Sequence, residues 1–179
     1  MKDEQLIRGC IEKNLNAQKQ LYDRFARKMM GVCLRYAGSK EEAEDILQEG
    51  FIKVFEKIET YRGECELEGW IKTVMINMSL DHFRKNKKAK NNVELNEEIG
   101  TMESNHYSTY DRLSEKELLE TIQGLPPGFR TVFNLYAIEG YNHNEIGRML
   151  QIEPGTSKSQ YARARQHLQK IIMAETITE

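Results

Sequence analysis

Proline, cysteine and long apolar runs are all scarce in this sequence. Only 3 prolines and 12 glycines interrupt 179 residues, while Leu, Ile, Met, Lys and Glu are frequent. That balance favours helices throughout over a turn-rich sheet fold. Nowhere do apolar residues run on for the about 20 positions a bilayer crossing needs. The start, MKDEQLIRGC, has no apolar core behind a basic segment, which argues against a secretory signal. Cys10, Cys33 and Cys65 are odd in number and far apart, so they read as reduced, mostly buried thiols rather than a disulfide framework. His82, His106, His143 and His167 are scattered as well, giving no metal-ligand spacing. There is no glycine-rich phosphate loop and no recognisable catalytic cluster, so an enzyme is disfavoured.

Net charge is small too, −2 from 26 basic and 28 acidic residues, but it is strongly segregated. Between Ile71 and Lys90 the cations Lys72, Arg84, Lys85, Lys87, Lys88 and Lys90 face the single anion Asp81. From Asn91 to Glu120 the balance reverses, and after Gly140 it turns basic again. Two basic regions joined by an acidic one suit bipartite binding to a polyanion.

The strongest pattern lies in SKEEAEDILQEGFIKVFEKI, from Ser39 to Ile58. Ala43, Ile46, Leu47, Phe51, Val54, Phe55 and Ile58 recur at three- and four-residue steps, the period of an amphipathic helix. Ser39 followed by Glu42 reads as the capping box that opens it. Asp45, Gln48, Glu49 and Ile52 project opposite the apolar stripe. Two carboxylates, an amide and an aliphatic group make either a solvated face or a docking surface for a basic partner, and periodicity alone does not choose.

Upstream, Asp3 to about Asn14 reads as a short helix carrying Leu6, Ile7 and Cys10 inward. Asn16 reads as the cap of a longer helix through Leu21, Phe25, Met29, Val32, Cys33 and Tyr36. Downstream, Glu59 to Gly69 is a loop bracketed by Gly63 and Gly69. Trp70 to Asn86 is a helix with two apolar stripes, Trp70–Ile71–Val74–Met78 and Ile76–Leu80–Phe83, the mark of a helix buried between neighbours. Trp70 therefore reads as a core anchor, and Arg84, Lys85, Lys87 and Lys88 as an exposed basic end suited to phosphate. Asn91 to Asp111 has no sustained period and many Asn, Ser, Thr and Glu, the composition of a flexible acidic linker.

In the C-terminal third, Arg112 to Gln123 is helical with Leu113, Leu118, Leu119 and Ile122 inward, and Pro126–Pro127 breaks it. A helix from Phe129 to Ile138 follows. Asn142-x-x-Glu145 then opens a short helix, and Pro154 takes the first position of the last one. Short helix, tight turn and second helix make the helix-turn-helix spacing. On the last helix Tyr161, Ala164, Leu168, Ile171 and Ile172 form the buried stripe. The far side carries Thr156, Lys158, Ser159, Ala162, Arg163 and Gln166, short polar groups and cations with no carboxylate, as a major groove requires.

Asp45-Ile-Leu-Gln48-Glu49-Gly-Phe51, Tyr61-Arg62-Gly63-Glu64 and Trp70-Ile71-x-x-Val74-x-x-Asn77-x-x-x-Asp81-x-x-Arg84 resemble region two of bacterial sigma factors. Leu125-Pro126-Pro127-x-x-Arg130, Gly140-Tyr141-x-x-x-Glu145-Ile146 and Gly155-Thr156-x-Lys158-Ser159-x-x-x-Arg163-Ala164-Arg165 resemble region four. The short length points to the extracytoplasmic-function group. The resemblance implies an all-α fold of two small helical domains: region two over 1–90, a flexible acidic linker over 91–111, and a helix-turn-helix region four over 112–179. It implies that Asp45, Gln48 and Glu49, with Ile52 beside them, dock on the clamp helices of the RNA polymerase largest subunit. Tyr61, Arg62, Glu64 and Leu67 are then candidates to hold a flipped base of the minus-ten element, with Asn77, Asp81, Arg84 and Lys85 along the same DNA. Thr156, Lys158, Ser159, Ala162, Arg163 and Gln166 would read the minus-thirty-five element. Further implications are core RNA polymerase, promoter DNA and an anti-sigma factor as partners, no cofactor or metal, no membrane insertion, and the bacterial cytoplasm as location. Three departures stand out. Ile76 replaces a common basic residue and removes one possible strand contact. Gln151 stands where Gly is usual and Ser157 where a small aliphatic is usual, both implying slightly looser helix-turn-helix packing. The alternatives are a stand-alone helix-turn-helix regulator, which has no need of the Asp45–Ile52 face, and a helical interaction protein that does not read DNA.

Overall fold

A computed structural model describes residues 3–91 and 115–176. Among them every regular element is helical. Packing divides the chain into two compact units, Met1–His82 and Phe83–Glu179.

The first unit opens with α1 (Asp3–Ile11), α2 (Leu15–Tyr36) and α3 (Lys40–Lys57), then a single 3₁₀ turn (Ile58–Thr60). It ends within α4 (Leu67–Asn91), which runs on into the second unit. The cap of α2 is Asn14, two residues earlier than the sequence suggests. Its carboxamide oxygen accepts from the Asn16 and Ala17 amides at 2.9 and 3.1 Å. Lys13, at φ 57, turns the corner between α1 and α2. Helix α3 starts as expected, Ser39 Oγ accepting from the Glu42 amide at 3.1 Å. Glu42 returns its carboxylate to the Gly38 amide at 2.6 Å, one residue before the usual capping-box partner.

Helix α2 packs against both α1 and α3. Its Leu21, Phe25, Met29, Val32, Cys33 and Tyr36 are all buried, as are Ala43, Ile46, Leu47, Phe51 and Val54 of α3 and Ile58 beyond it; Phe55 is half-buried. Each fully buried side chain of this size contributes about 1.5–3 kcal/mol, so this stripe defines the unit. Helix α4 begins at Leu67, three residues before Trp70, and its buried positions are Leu67, Ile71, Met75, Ile76, Ser79 and Leu80. Val74 and Met78, expected inside, are half-buried, and Met75 does their work. Gly50 makes that possible, because a Cβ there would collide with the Met75 sulfur.

In the second unit α5 (Glu115–Gln123) precedes α6 (Pro127–Phe133), which widens into a π turn (Asn134–Ile138). Then come α7 (His143–Leu150) and α8 (Pro154–Thr176), and both α6 and α7 pack on α8. Ile122, Leu125, Val132, Leu135, Ile146 and Leu150 are buried. Leu118, expected inside, is 47% exposed. Pro127 occupies the first position of α6, where its missing N–H loses nothing. Arg130 is buried and donates from Nη1 to the Gln123 carbonyl at 2.9 Å, satisfying the end of α5. Of the linker expected over 91–111, Asn91 is instead the last residue of α4, and the remainder, the start of the following helix at Arg112 and Leu113, and the burial of Ile172 lie outside the described residues and side chains.

Candidate functional site

On α3 the core stripe turns Asp45, Gln48, Glu49 and Ile52 outward, and all four are exposed. Ile52 is 59% exposed and lines an open groove with Ile11, Leu15 and Phe55. Glu49 has a partner that its own helix does not reveal: its Oε2 lies 3.0 Å from His82 Nε2 on α4. The acidic face is thereby tied to the helix that carries Asn77 and Asp81.

The loop after α3 is held from both ends. The Tyr61 hydroxyl donates to the Cys65 carbonyl at 2.5 Å, and its ring meets Trp70 edge-on at 5.7 Å. Partial desolvation, then the neighbouring Cys65, Asp3 and Glu66, push the phenol up. Gly63, at φ 74, lets the chain reverse between these anchors. Arg62 and Glu64 stand 83% and 78% exposed, 4.0 Å apart, a pairing worth little in water. Leu67 departs from its expected role. It is 2% exposed in the first turn of α4, so it offers no surface to a base. Trp70 is half-buried, so it braces Tyr61 as much as it anchors the core. Further along α4, Asn77 is exposed and Asp81 half-buried. Both sit inside the helix, so neither caps its ends. Arg84 is half-buried and Lys85 exposed on the same helix.

In the second unit a full capping box opens α7. The Asn142 oxygen accepts from the Asn144 and Glu145 amides at 3.0 Å each, and Glu145 Oε2 accepts from the Asn142 amide at 2.7 Å. Gln151 then adopts the left-handed conformation, φ 55 and ψ 48, and turns the chain into α8. The turn is tight, since a Cβ on Gly147 would lie 2.8 Å from the Ile152 carbonyl oxygen. Thr156, Lys158, Ser159, Ala162, Arg163 and Gln166 are all exposed on α8, while Ser157 and Ala164 are fully buried. The expected loosening at Ser157 is absent. Its Oγ lies 2.9 Å from His143 Nδ1, and the His143 ring stacks on Tyr136 with centroids 4.3 Å apart. Nor does Gln151 open the turn. It takes the conformation glycine would supply, at a cost in backbone strain.

Known proteins resolve what these surfaces belong to. The Sigma-70 region 2 family model matches residues 21–89, and the Sigma-70 region 4 model matches residues 115–168. The Bacillus subtilis ECF RNA polymerase sigma factor SigW is 32% identical over 177 residues, covering 92% of this chain and 93% of its own. The chain belongs to the extracytoplasmic-function group of RNA polymerase sigma factors. The Pseudomonas aeruginosa RNA polymerase sigma-H factor is 26% identical over 180 residues, covering 95% of this sigma factor and 93% of its own chain. The Bartonella quintana sigma factor RpoE, solved with the anti-sigma factor NepR, shares the fold with a TM-score of 0.53 at 19% identity, over 90% of this chain and 98% of its own. Sigma factors are non-enzymatic regulators of transcription initiation that direct RNA polymerase to promoters. Among the described residues no helix is long and apolar enough to cross a membrane, and no three His, Cys, Asp or Glu side chains cluster to hold a metal.

His82, His143, Ser157 and Tyr136 are the residues at these surfaces that sequence reasoning missed. Their partners lie 33 residues away for His82 and 14 for His143 and Ser157. No helical period links such distant positions.

Proposed function

We propose that residues 1–90 and 112–179 divide promoter recognition between them. Residues 1–90 dock on the clamp helices of core polymerase through Asp45, Gln48, Glu49 and Ile52, and take up the minus-ten strand through Tyr61, Arg62, Glu64, Asn77, Asp81, Arg84 and Lys85. Residues 112–179 place α8 in the major groove of the minus-thirty-five element, with Thr156, Lys158, Ser159, Ala162, Arg163 and Gln166 toward the bases and phosphates. The acidic stretch that follows α4 in the sequence joins the two. The observation that supports this reading best is the exposed face of α8: six side chains without a carboxylate, presented by a helix that buries Ser157 and Ala164 and half-buries Tyr161, Leu168 and Ile171. The loop held by Tyr61 and Trp70 supports capture of an unstacked base between apolar walls and exposed polar groups. Melting is then driven by base capture and phosphate contacts, with no catalytic centre and no nucleotide hydrolysis. The protein acts in the bacterial cytoplasm. By analogy with the solved relative, an anti-sigma factor holds it in check.

The test is a binding titration of the full chain against bacterial core RNA polymerase, beside an Asp45→Ala/Gln48→Ala/Glu49→Ala variant. Tight binding that the variant loses is the expected result. Equal binding by both chains overturns the assignment of the α3 face. Duplex DNA binding without polymerase, together with no polymerase binding, favours the stand-alone regulator.

A further inference from the structure

Ser157 lies between Thr156 and Lys158, two exposed side chains of α8, yet it is itself 0% exposed. A buried hydroxyl without a hydrogen bond is unfavourable, and this one meets His143, the first residue of α7, at 2.9 Å. The imidazole is held in turn. It lies nearly parallel to the Tyr136 ring, at 10°, and Tyr136 contacts Tyr161 of α8 at 4.5 Å between centroids. The first turn of α8 is thus tied to α7 by a directional bond and, through the stack, to the π turn after α6. A small aliphatic at position 157 fills the same space but leaves the rotation of α8 to van der Waals contact. A hydrogen bond restricts both distance and angle, and base readout tolerates displacements of only about 0.5 Å and 10–20° in the groups that make it.

We propose that His143 and Ser157 are positioning residues that fix the rotation and height of the first turn of α8, so that Thr156 and Lys158 meet the upstream promoter element in one register. The proposal rests on α8 being the groove helix. Its test therefore separates the two ideas.

Holoenzyme assembled from the full chain and core polymerase is used to select duplexes from a pool randomised over the upstream element. The selected duplex is then compared with its scrambled counterpart. Ser157→Ala and His143→Ala are each expected to lower the preference for the selected duplex about fivefold, from one lost hydrogen bond and a partner left buried. Affinity for core polymerase is expected to stay unchanged. The double variant is expected to be no worse than either single one, since both remove the same interaction. His143→Gln, which keeps a hydrogen-bonding side chain, is expected to recover most of the preference. Unchanged preference in the single variants, while Lys158→Ala/Arg163→Ala lowers it, overturns the positioning role and leaves the groove reading standing. The same holds if the Ser157→Ala chain melts earlier but discriminates normally, or if the two single effects multiply. No loss with Lys158→Ala/Arg163→Ala overturns both.

Discussion

Gln151 ends α7 at φ 55, where the Cβ of any L-residue crowds the following carbonyl. Gln151→Gly is expected to stabilise the second unit by about 1 kcal/mol, a rise of about 4–8 °C in the melting midpoint of a unit this size. An unchanged midpoint shows that the Gln151 side chain contributes as much as the strain removes. Gly50 and Met75 give a second case, in the first unit. Met75 is fully buried against the space that Gly50 leaves, so Met75→Ala is expected to lose about 2–5 kcal/mol. Gly50→Ala is expected to lose about 1–3 kcal/mol by overpacking. Denaturant melts of both and of the double variant are expected to give less than the sum, because the added methyl occupies part of the vacated space. At this scale the helical period served α3 best, while it misplaced Leu118 and overstated the burial of Tyr161, Leu168 and Ile171. The outward side chains of α3 and α8 are where the three- and four-residue steps put them. Met75 was missed because α4 is apolar on several sides, and its composition does not say which apolar residue a neighbouring glycine admits. The pairs Glu49–His82 and His143–Ser157 were missed for the other reason, that they join different helices.

Helix ends carry the next set of consequences. Asn14 rather than Asn16 caps α2 because Lys13 supplies the reversal that lets Asn14 face the open amides. Both residues are asparagines, so only the backbone distinguishes them. Leu67 looked like loop because Gly69 follows it, yet its burial draws the start of α4 forward. The cap at Ser39 and the capping box at Asn142 were legible because their chemistry is local. At the start of α7, His143 sits among Tyr136, Tyr161 and Ser157, with Lys158 near enough to act on its charge. Desolvation, then the charge of Lys158, hold its imidazole below the ordinary value of 6.5. The folded state therefore favours the neutral ring. Its contribution to stability is full above pH 6.5 and is lost as pH falls through the depressed value. The second unit is expected to melt earlier at pH 5.5 than at pH 7.5, and His143→Gln is expected to reduce that difference. A ring-proton NMR titration that places His143 at or above free histidine sinks the expectation.

Across the whole molecule, the net charge of −2 predicts little about nucleic acid, whereas its segregation predicts a strong salt response. Replacing Lys85 or Lys158 by Ala is expected to reduce the slope of log promoter affinity against log salt by about 1 each, if each cation meets one phosphate. Because these residues lie on different helices, α4 and α8, and are proposed to meet different promoter elements, the two reductions are expected to add. A slope unchanged by either substitution removes that cation from the phosphate contacts. The resemblance implied two helical domains, and the chain does pack as two units, with their boundary at His82–Phe83 inside α4 and not in the acidic stretch. The helical periods that put Cys10 and Cys33 inward, and the loop that holds Cys65, also separated the three cysteines chemically. Cys10 and Cys33 are buried, which raises both thiols, Cys33 to about 12, while Cys65 lies exposed in the loop braced by Tyr61. A maleimide dye added to the native chain is therefore expected to attach at Cys65 alone, and at all three cysteines only after denaturation. The unmodified protein thus comes with a single-site fluorescent reporter beside the loop proposed to catch the base, and promoter opening can be timed without altering one residue.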